Sequence, residues 1–357
     1  MLTKFIRYAL IGLGIVVFVL ALTVFFQYKK LQRMRIFSAV DTELQIKLDR
    51  MGFFDIKREI KKEGFFPPKP IAELNIKVPL DYPLDNLLKE AKGGFGSSKI
   101  QILGFREKNL KKNYRIYLEV GQRKILTHRL IFSLEKAKVA LLIDDFGYIN
   151  ERRLLDVFFD ELSFPFTISI IPGTRFAEEI AKKAHQKNKQ ILVHLPMQPK
   201  GEFINRYKWI ILDKMPRSEI EKEVEEAIES IPYAEGLNNH MGSLVTTRRE
   251  LMEPVLRVLK KKGMFFVDSR TSSSSIGYSL AKELGVKSTF NCVFLDNKKS
   301  ENYIKTQFKK LISQAIKKGW ALGLGHSDIT TALALKKLTK ACDNRKISFV
   351  FVSEILD

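Results

Sequence analysis

The chain has 357 residues, 45% of them hydrophobic, which excludes a disordered chain and is too long for one small core. Lys and Arg number 61 against 40 Asp and Glu, a net charge of +21, so polyanions such as phospholipid headgroups or envelope polymers are attracted. The Lys residues are spread over many helices rather than one stripe and no nucleic-acid motif is present, so a nucleic-acid partner is not expected.

Met1 to Arg7 carries Lys4 and Arg7, and Tyr8 to Phe26 is then free of charge for 19 residues. A membrane-spanning helix needs about 20 apolar residues, and no small-residue cleavage site follows. Residues 1–35 are therefore expected to be an uncleaved membrane anchor with basic flanks. Residues 36–70 read as a charged helix or linker. It ends at Gly64-Phe65-Phe66-Pro67-Pro68-Lys69-Pro70, where prolines forbid helix and mark a domain boundary. Residues 71–135 then read as a small α+β module. It has strands over Asn75–Leu80, Lys99–Phe105, Tyr114–Val120 and Ile125–Leu134, and a helix over Leu84–Ala91 stopped by Gly93-Gly94. His128, in its last strand, is given no role. What this module contacts is left open.

From residue 136 to 357 strands and amphipathic helices alternate. The strands are predicted at Lys138–Phe146, Phe166–Ile171, Gln190–Leu195, Gly236–His240, Met264–Asp268, Thr289–Leu295, Trp320–Gly325 and Ile347–Val352. Ser218-Glu219-Ile220-Glu221 and Thr247-Arg248-Arg249-Glu250 fit capping boxes, and Gly263 and Gly319 fit helix ends. Repeated strand–helix units imply parallel strands covered by helices, enough to curl into a barrel. In such folds the chemistry gathers at the carboxyl ends of the strands.

Those ends carry Asp144-Asp145, His194, Asn238-Asn239-His240, Asp268, Asp296-Asn297 and His326. Three of the five histidines and an Asp pair thus converge on one rim. His185, within the helical Ala177–Lys187 segment, reads as a surface residue. The two cysteines, Cys292 and Cys342, form no metal-type CxxC. One Asp with two His is a common ligand set for Zn²⁺ or a similar divalent ion with positions left open for water. A second Asp can then serve as base and a third His as acid toward a leaving amine, which describes an amide or ester hydrolase. Gly323-Leu324-Gly325 lacks the third glycine of a dinucleotide loop and is discounted. Thr271 to Ser275 reads as a flexible loop or as a hydroxyl lining for a sugar.

Ile143-Asp144-Asp145-Phe146-Gly147, His194-Leu195-Pro196-Met197, Asn238-Asn239-His240-Met241-Gly242-Ser243, Val267-Asp268-Ser269, Val293-Phe294-Leu295-Asp296-Asn297 and Gly325-His326-Ser327 resemble the divergent polysaccharide deacetylase family. The resemblance runs from about Lys138 to the C-terminus. It implies an α/β fold, a distorted (β/α) barrel of the polysaccharide-deacetylase type, in secreted or periplasmic proteins. It makes Asp144 the general base, Asp145 a metal ligand and His326 the acid. The better-studied deacetylases draw two further ligands from His-x-x-x-His. Here His194 stands first and Gln198 stands where the second His would be, so His240 is expected to replace it. Asn239, Ser243 and Asp268 are expected to contact substrate.

Together these readings give a metal-dependent hydrolase, with Zn²⁺ as the expected ion, acting on an N-acetylated envelope or exported polysaccharide. The alternative is a non-catalytic glycan-binding envelope protein with a relic site. The expected location is the inner membrane, single-pass, with the catalytic part outside the cytoplasm. Lys29, Lys30, Arg33 and Arg35 after the span would by themselves favour a third reading, a cytoplasmic hydrolase held at the membrane.

Overall fold

The structure is a computed structural model that describes residues 2–64, 68–93, 95, 97 and 99–357. Phe65, Phe66 and Pro67 of the expected boundary, and Gly94 of the expected helix stop, lie outside the described residues. The chain forms two units, Met1–Glu135 and Lys136–Asp357.

The first unit contains α1 (Leu2–Arg50), β1 (Ile56–Glu63), β2 (Lys69–Lys77), α2 (Leu84–Lys92), β3 (Gln101–Asn109), β4 (Asn113–Gln122) and β5 (Ile125–Glu135). The strands form one sheet in the order β1-β2-β5-β4-β3, with β2 and β5 parallel and the other pairs antiparallel. α1 has two regimes. Its first half is apolar on all sides and exposed, the one described helix long and apolar enough to cross a membrane. Its second half is amphipathic. Ile36, Val40, Leu44 and Leu48 recur every four residues and sink into the sheet's core with Leu74, Ile116, Leu118 and Phe132.

Two expectations are corrected here. Residues 36–50 are not linker, because this buried stripe belongs to the unit's core. The proline-rich stretch does not separate domains either, because β1 and β2 on its two sides pair antiparallel from Ile56↔Ile76 to Glu63↔Lys69.

The second unit runs β6 (Ala137–Phe146), α3 (Arg152–Asp156), β7 (Thr167–Ile170), α4 (Ala177–Gln186), β8 (Gln190–Met197), α5 (Arg217–Glu229), β9 (Ala234–Met241), α6 (Arg249–Lys262), β10 (Phe265–Asp268), α7 (Gly277–Glu283), β11 (Ser288–Phe290), β12 (Val293–Phe294), α8 (Glu301–Lys318), β13 (Trp320–His326), α9 (Ile329–Lys340) and β14 (Ile347–Val350). All its strand pairs are parallel, in the order β11-β10-β9-β8-β7-β6-β13-β12, with β14 also pairing with β6. β6 is buried on both faces from Val139 to Asp144, as a parallel strand under helices must be.

The expected single strand Thr289–Leu295 is broken at Asn291-Cys292. β11 takes one end of the sheet and β12 the other. Two intervening residues can bridge only about 10 Å, so the sheet has to curl until its ends meet. The result is the expected distorted barrel. The capping boxes do not form: α5 starts from Pro216 and α6 from Arg248, without side-chain caps. The glycine ends do, with Gly263 and Gly319 at φ +68° and +85°.

Candidate functional site

The site begins with a break in β6. Alternation along a strand would turn Asp144 and Asp145 to opposite faces. Instead Asp145 takes φ +63°, and the register with β7 shifts between Ile143 and Phe146. This bulge lets both carboxylates face the barrel's open end. Gly147 follows at φ +120°, where an added Cβ would lie 2.0 Å from the Thr174 hydroxyl. No other residue fits that position without displacing the next loop.

β8 and β9 supply the imidazoles. His194 faces Asn238 across the β8–β9 register, and His240 follows two residues later on the same side of β9. Three atoms from three strands then meet. His240 Nδ1 is 3.0 Å from His194 Nε2 and 3.1 Å from Asp145 Oδ1, and His194 Nε2 is 3.3 Å from Asp145 Oδ1. Asp145 Oδ1 is buried and has no well-formed hydrogen bond. A buried acceptor left in that state is costly, and two imidazoles cannot both donate to it while presenting lone pairs to each other. A divalent cation among the three satisfies all of them, so these residues fit the ion that the donor set implies.

The surroundings fix the ring orientations. Asn238 is fully buried. Its Nδ2 donates to both oxygens of Asp144 (3.0 and 3.1 Å) and to Ser269 Oγ (3.1 Å). Its Oδ1 accepts from Ser169 and lies 3.0 Å from His194 Nδ1. His194 therefore carries its proton on Nδ1 and leaves a lone pair on Nε2, facing the cluster. Likewise, His240 Nε2 lies 2.8 Å from the Tyr207 hydroxyl. With Nε2 protonated and donating to that oxygen, Nδ1 faces the cluster unprotonated.

Burial would raise the Asp145 carboxyl, but hydrogen bonds and positive charge from the two imidazoles, whenever they are protonated toward it, hold it far below the usual range. Burial lowers His240 despite Asp145. Burial also raises Asp144, to about 6, against the opposing charges of His194 and His326. A carboxyl tuned this way ionises near neutrality and can still take up a proton.

His326 enters from β13, in register with Asp144. Its Nδ1 lies 2.8 Å from Asp296 Oδ1, and Asp296 Oδ2 accepts from the His326 backbone and from the Thr331 hydroxyl. Burial lowers this imidazole, but the Asp296 hydrogen bond and the carboxylate charges outweigh it and bring it up to about 9. It is a cation at pH 7 that can give up a proton from Nε2. Ser327 donates its backbone N–H to the Asp144 carbonyl and its hydroxyl to the Asp145 carbonyl, both at 2.9 Å, which ties the ends of β13 and β6 together.

Other expected site residues are placed elsewhere. Asn239 and Asp268, expected to contact substrate, are buried and taken up by bonds within the protein. Asn239 is buried, accepts from Ser269 N and donates to the Met241 carbonyl. Asp268 accepts from Arg270 N, Ser275 Oγ and Tyr278 N, which organises the loop into α7. Ser243, half-buried, accepts from Lys200 N. Gln198 accepts from Asp213 N through its side chain and so braces a loop. His185 is exposed and stacks on Tyr233 at 3.8 Å. His128 is buried in the first unit, 2.9 Å from Asp41. Gly323 and Gly325 lie inside β13, not in a loop. Sequence reasoning missed Asn238, Tyr207 and the role of Asp296. The first could have been found from its two-residue spacing to His240. Tyr207, in an irregular segment, left no such signal.

A model described as divergent polysaccharide deacetylase matches residues 141–356. The chain is 31% identical over 223 residues to the uncharacterized protein YibQ of Escherichia coli, covering 61% of this chain and 68% of that one. It is 34% identical over 206 residues to an uncharacterized protein of Haemophilus influenzae, covering 57% and 72%. Among solved structures, the uncharacterized protein ATU2773 of Agrobacterium tumefaciens superposes with a TM-score of 0.58 at 22% identity, covering 62% of this chain and 89% of that one. That likeness is one of fold.

Proposed function

The chain belongs to the divergent polysaccharide deacetylase family, and from that premise we propose a membrane-anchored, metal-dependent hydrolase that removes acetyl groups from an N-acetylated envelope or exported polysaccharide. The observation that carries this reading is the triangle of Asp145 Oδ1, His194 Nε2 and His240 Nδ1, with sides of 3.0 to 3.3 Å around an unpartnered buried carboxylate oxygen. A divalent ion of the Zn²⁺ type held there would lower the pKa of a bound water toward ~7 and polarise the substrate carbonyl.

The chain's own residues do the proton work. Asp144 takes a proton from the attacking water as the new C–O bond forms. Asn238, bonded to both Asp144 oxygens, keeps that carboxylate aimed. As the C–N bond breaks, His326 Nε2 gives its proton to the departing amine, and Asp296 stabilises the cation beforehand. The products are acetate and a free amine on the sugar. α1 anchors the chain as a single pass in the inner membrane with the catalytic unit outside the cytoplasm. Its apolar half is continuous with the buried stripe of the first unit, which favours an anchor over a removable leader.

The test is bound-metal analysis of the purified chain beside His194→Ala and His240→Ala, with acetate release from N-acetylated glycans. One ion per chain is expected, lost in both variants, and acetate release is expected to fall at least a hundredfold in Asp144→Asn. Unchanged metal content in both variants would remove the proposed ligands. Glycan binding without acetate release would instead favour a non-catalytic glycan-binding protein, a reading supported by Gln198 standing where a second histidine would.

A further inference from the structure

We propose that the first unit carries a binding site for the phosphate of an anionic phospholipid headgroup, beside the end of the membrane helix. The proposal rests on the anchoring read for α1. A cavity of about 370 Å³ is lined by Arg33 of α1, Glu63 and Gly64 after β1, Lys69 and Ile71 of β2, and Lys124 to Leu126 at the start of β5.

Its chemistry is amphiphilic. Ile71, Ile125 and Leu126 supply apolar walls, and Arg33, Lys69 and Lys124 supply cations. The single carboxylate, Glu63, is already held by both terminal nitrogens of the Arg129 guanidinium. Among the described residues no carboxylate pairs with any of the three cations. An anion entering the hollow is attracted by all three of these cations.

The turn that delivers Lys124 is itself unusual. Arg123-Lys124 joins β4 to β5 as a two-residue hairpin, with φ of +52° and +62°. Such turns favour Asn and Gly because both positions are left-handed. Here two long cationic side chains occupy them at a conformational cost, so the tip carries charge where Asn and Gly would fit the turn better.

Depth argues for the ligand's source. The charge-free run Tyr8–Phe26 spans about 28 Å, the thickness of a bilayer's hydrocarbon core. Arg33 lies seven residues beyond Phe26, roughly 10 Å along the axis, just past the headgroup layer of about 5–8 Å, and an arginine side chain is long enough to reach back into it. Exposed Leu31 and Met34 on the same helix continue the apolar surface toward that level.

The experiment uses the full chain in a nonionic detergent, titrated separately with phosphatidylglycerol, phosphatidylcholine and inorganic phosphate. Saturable binding of about one phosphatidylglycerol per chain is expected. The variant combining Arg33→Gln, Lys69→Gln and Lys124→Gln should bind it on the order of a hundredfold more weakly. A control combining Lys305→Gln, Lys309→Gln and Lys310→Gln, three exposed residues of α8, should match the wild type. Equal weakening in both variants, or unsaturable binding, would reduce the effect to bulk charge and overturn the site. Inorganic phosphate binding as tightly as the lipid would overturn the lipid assignment. Intact mass of the membrane-extracted chain checks the anchor separately, and a shortened N-terminus would overturn the premise without touching the metal site.

Discussion

By accepting a proton from His240 Nε2, Tyr207 leaves Nδ1 free to face Asp145, and so it braces the proposed metal site without being one of its ligands. Tyr207→Phe removes that acceptor at 2.8 Å and leaves the ring shape in place. Outer contacts of this kind are typically worth about 10–100-fold in metal affinity. Competitive chelator titration should show a weakening in that range with the thermal midpoint unchanged; an unaltered affinity would make Tyr207 mere packing. Asp296 acts in the same way on His326. Asp296→Asn removes the charge that lifts the imidazole to about 9, so the folded pKa must fall. An acid that must be protonated then fails at lower pH, and the alkaline limb of acetate release should move down by at least one pH unit. A limb that stays in place would show that His326 is not the acid. The sequence exposed the residues that meet, because Asp145, His194 and His240 each close a predicted strand. It did not separate them from Asn239 and Asp268, which also close strands. Whether such a side chain points into the cleft or into a loop's backbone depends on a bulge or a turn, and neither leaves a periodic trace.

Among the elements, α1 shows where periodicity was read too coarsely. Lys47, Asp49 and Arg50 give residues 36–50 a charged composition, yet Ile36, Val40, Leu44 and Leu48 form a stripe fully within the core. β1, Ile-Lys-Arg-Glu-Ile-Lys-Lys-Glu, escaped notice because an edge strand can remain almost wholly charged. The parallel strands of the second unit are easier to read, since apolar runs bounded by turns leave little ambiguity. The stripe also makes the two halves of α1 separable by mutation. Leu44→Ala empties a buried site and should cost about 2–5 kcal/mol, read as a lower denaturant midpoint for the first unit. Val17→Ala, on the exposed apolar half, should leave that midpoint unchanged in detergent. Equal effects would mean that the helix is one element and not two.

At the level of the whole molecule, the anchoring proposed for α1 would put the barrel on one defined side of a membrane. Positive-inside counting sets Lys29, Lys30, Arg33 and Arg35 against Lys4 and Arg7 and would hold the chain in the cytoplasm. That count assumes that flanking cations act only during insertion. Arg33 lines a basic hollow with Lys69 and Lys124, and under the lipid site proposed above part of the imbalance has a separate use at the headgroup layer. Once Arg33 is set aside the two flanks are nearly even, and the outer side then follows only from the substrate proposed above. Alkaline phosphatase fused to the C-terminus should therefore be active, and green fluorescent protein at the same point dark. The reverse pattern would put the barrel with cytoplasmic substrates and rule out an envelope polymer, while the metal triangle and its proton donors would stand.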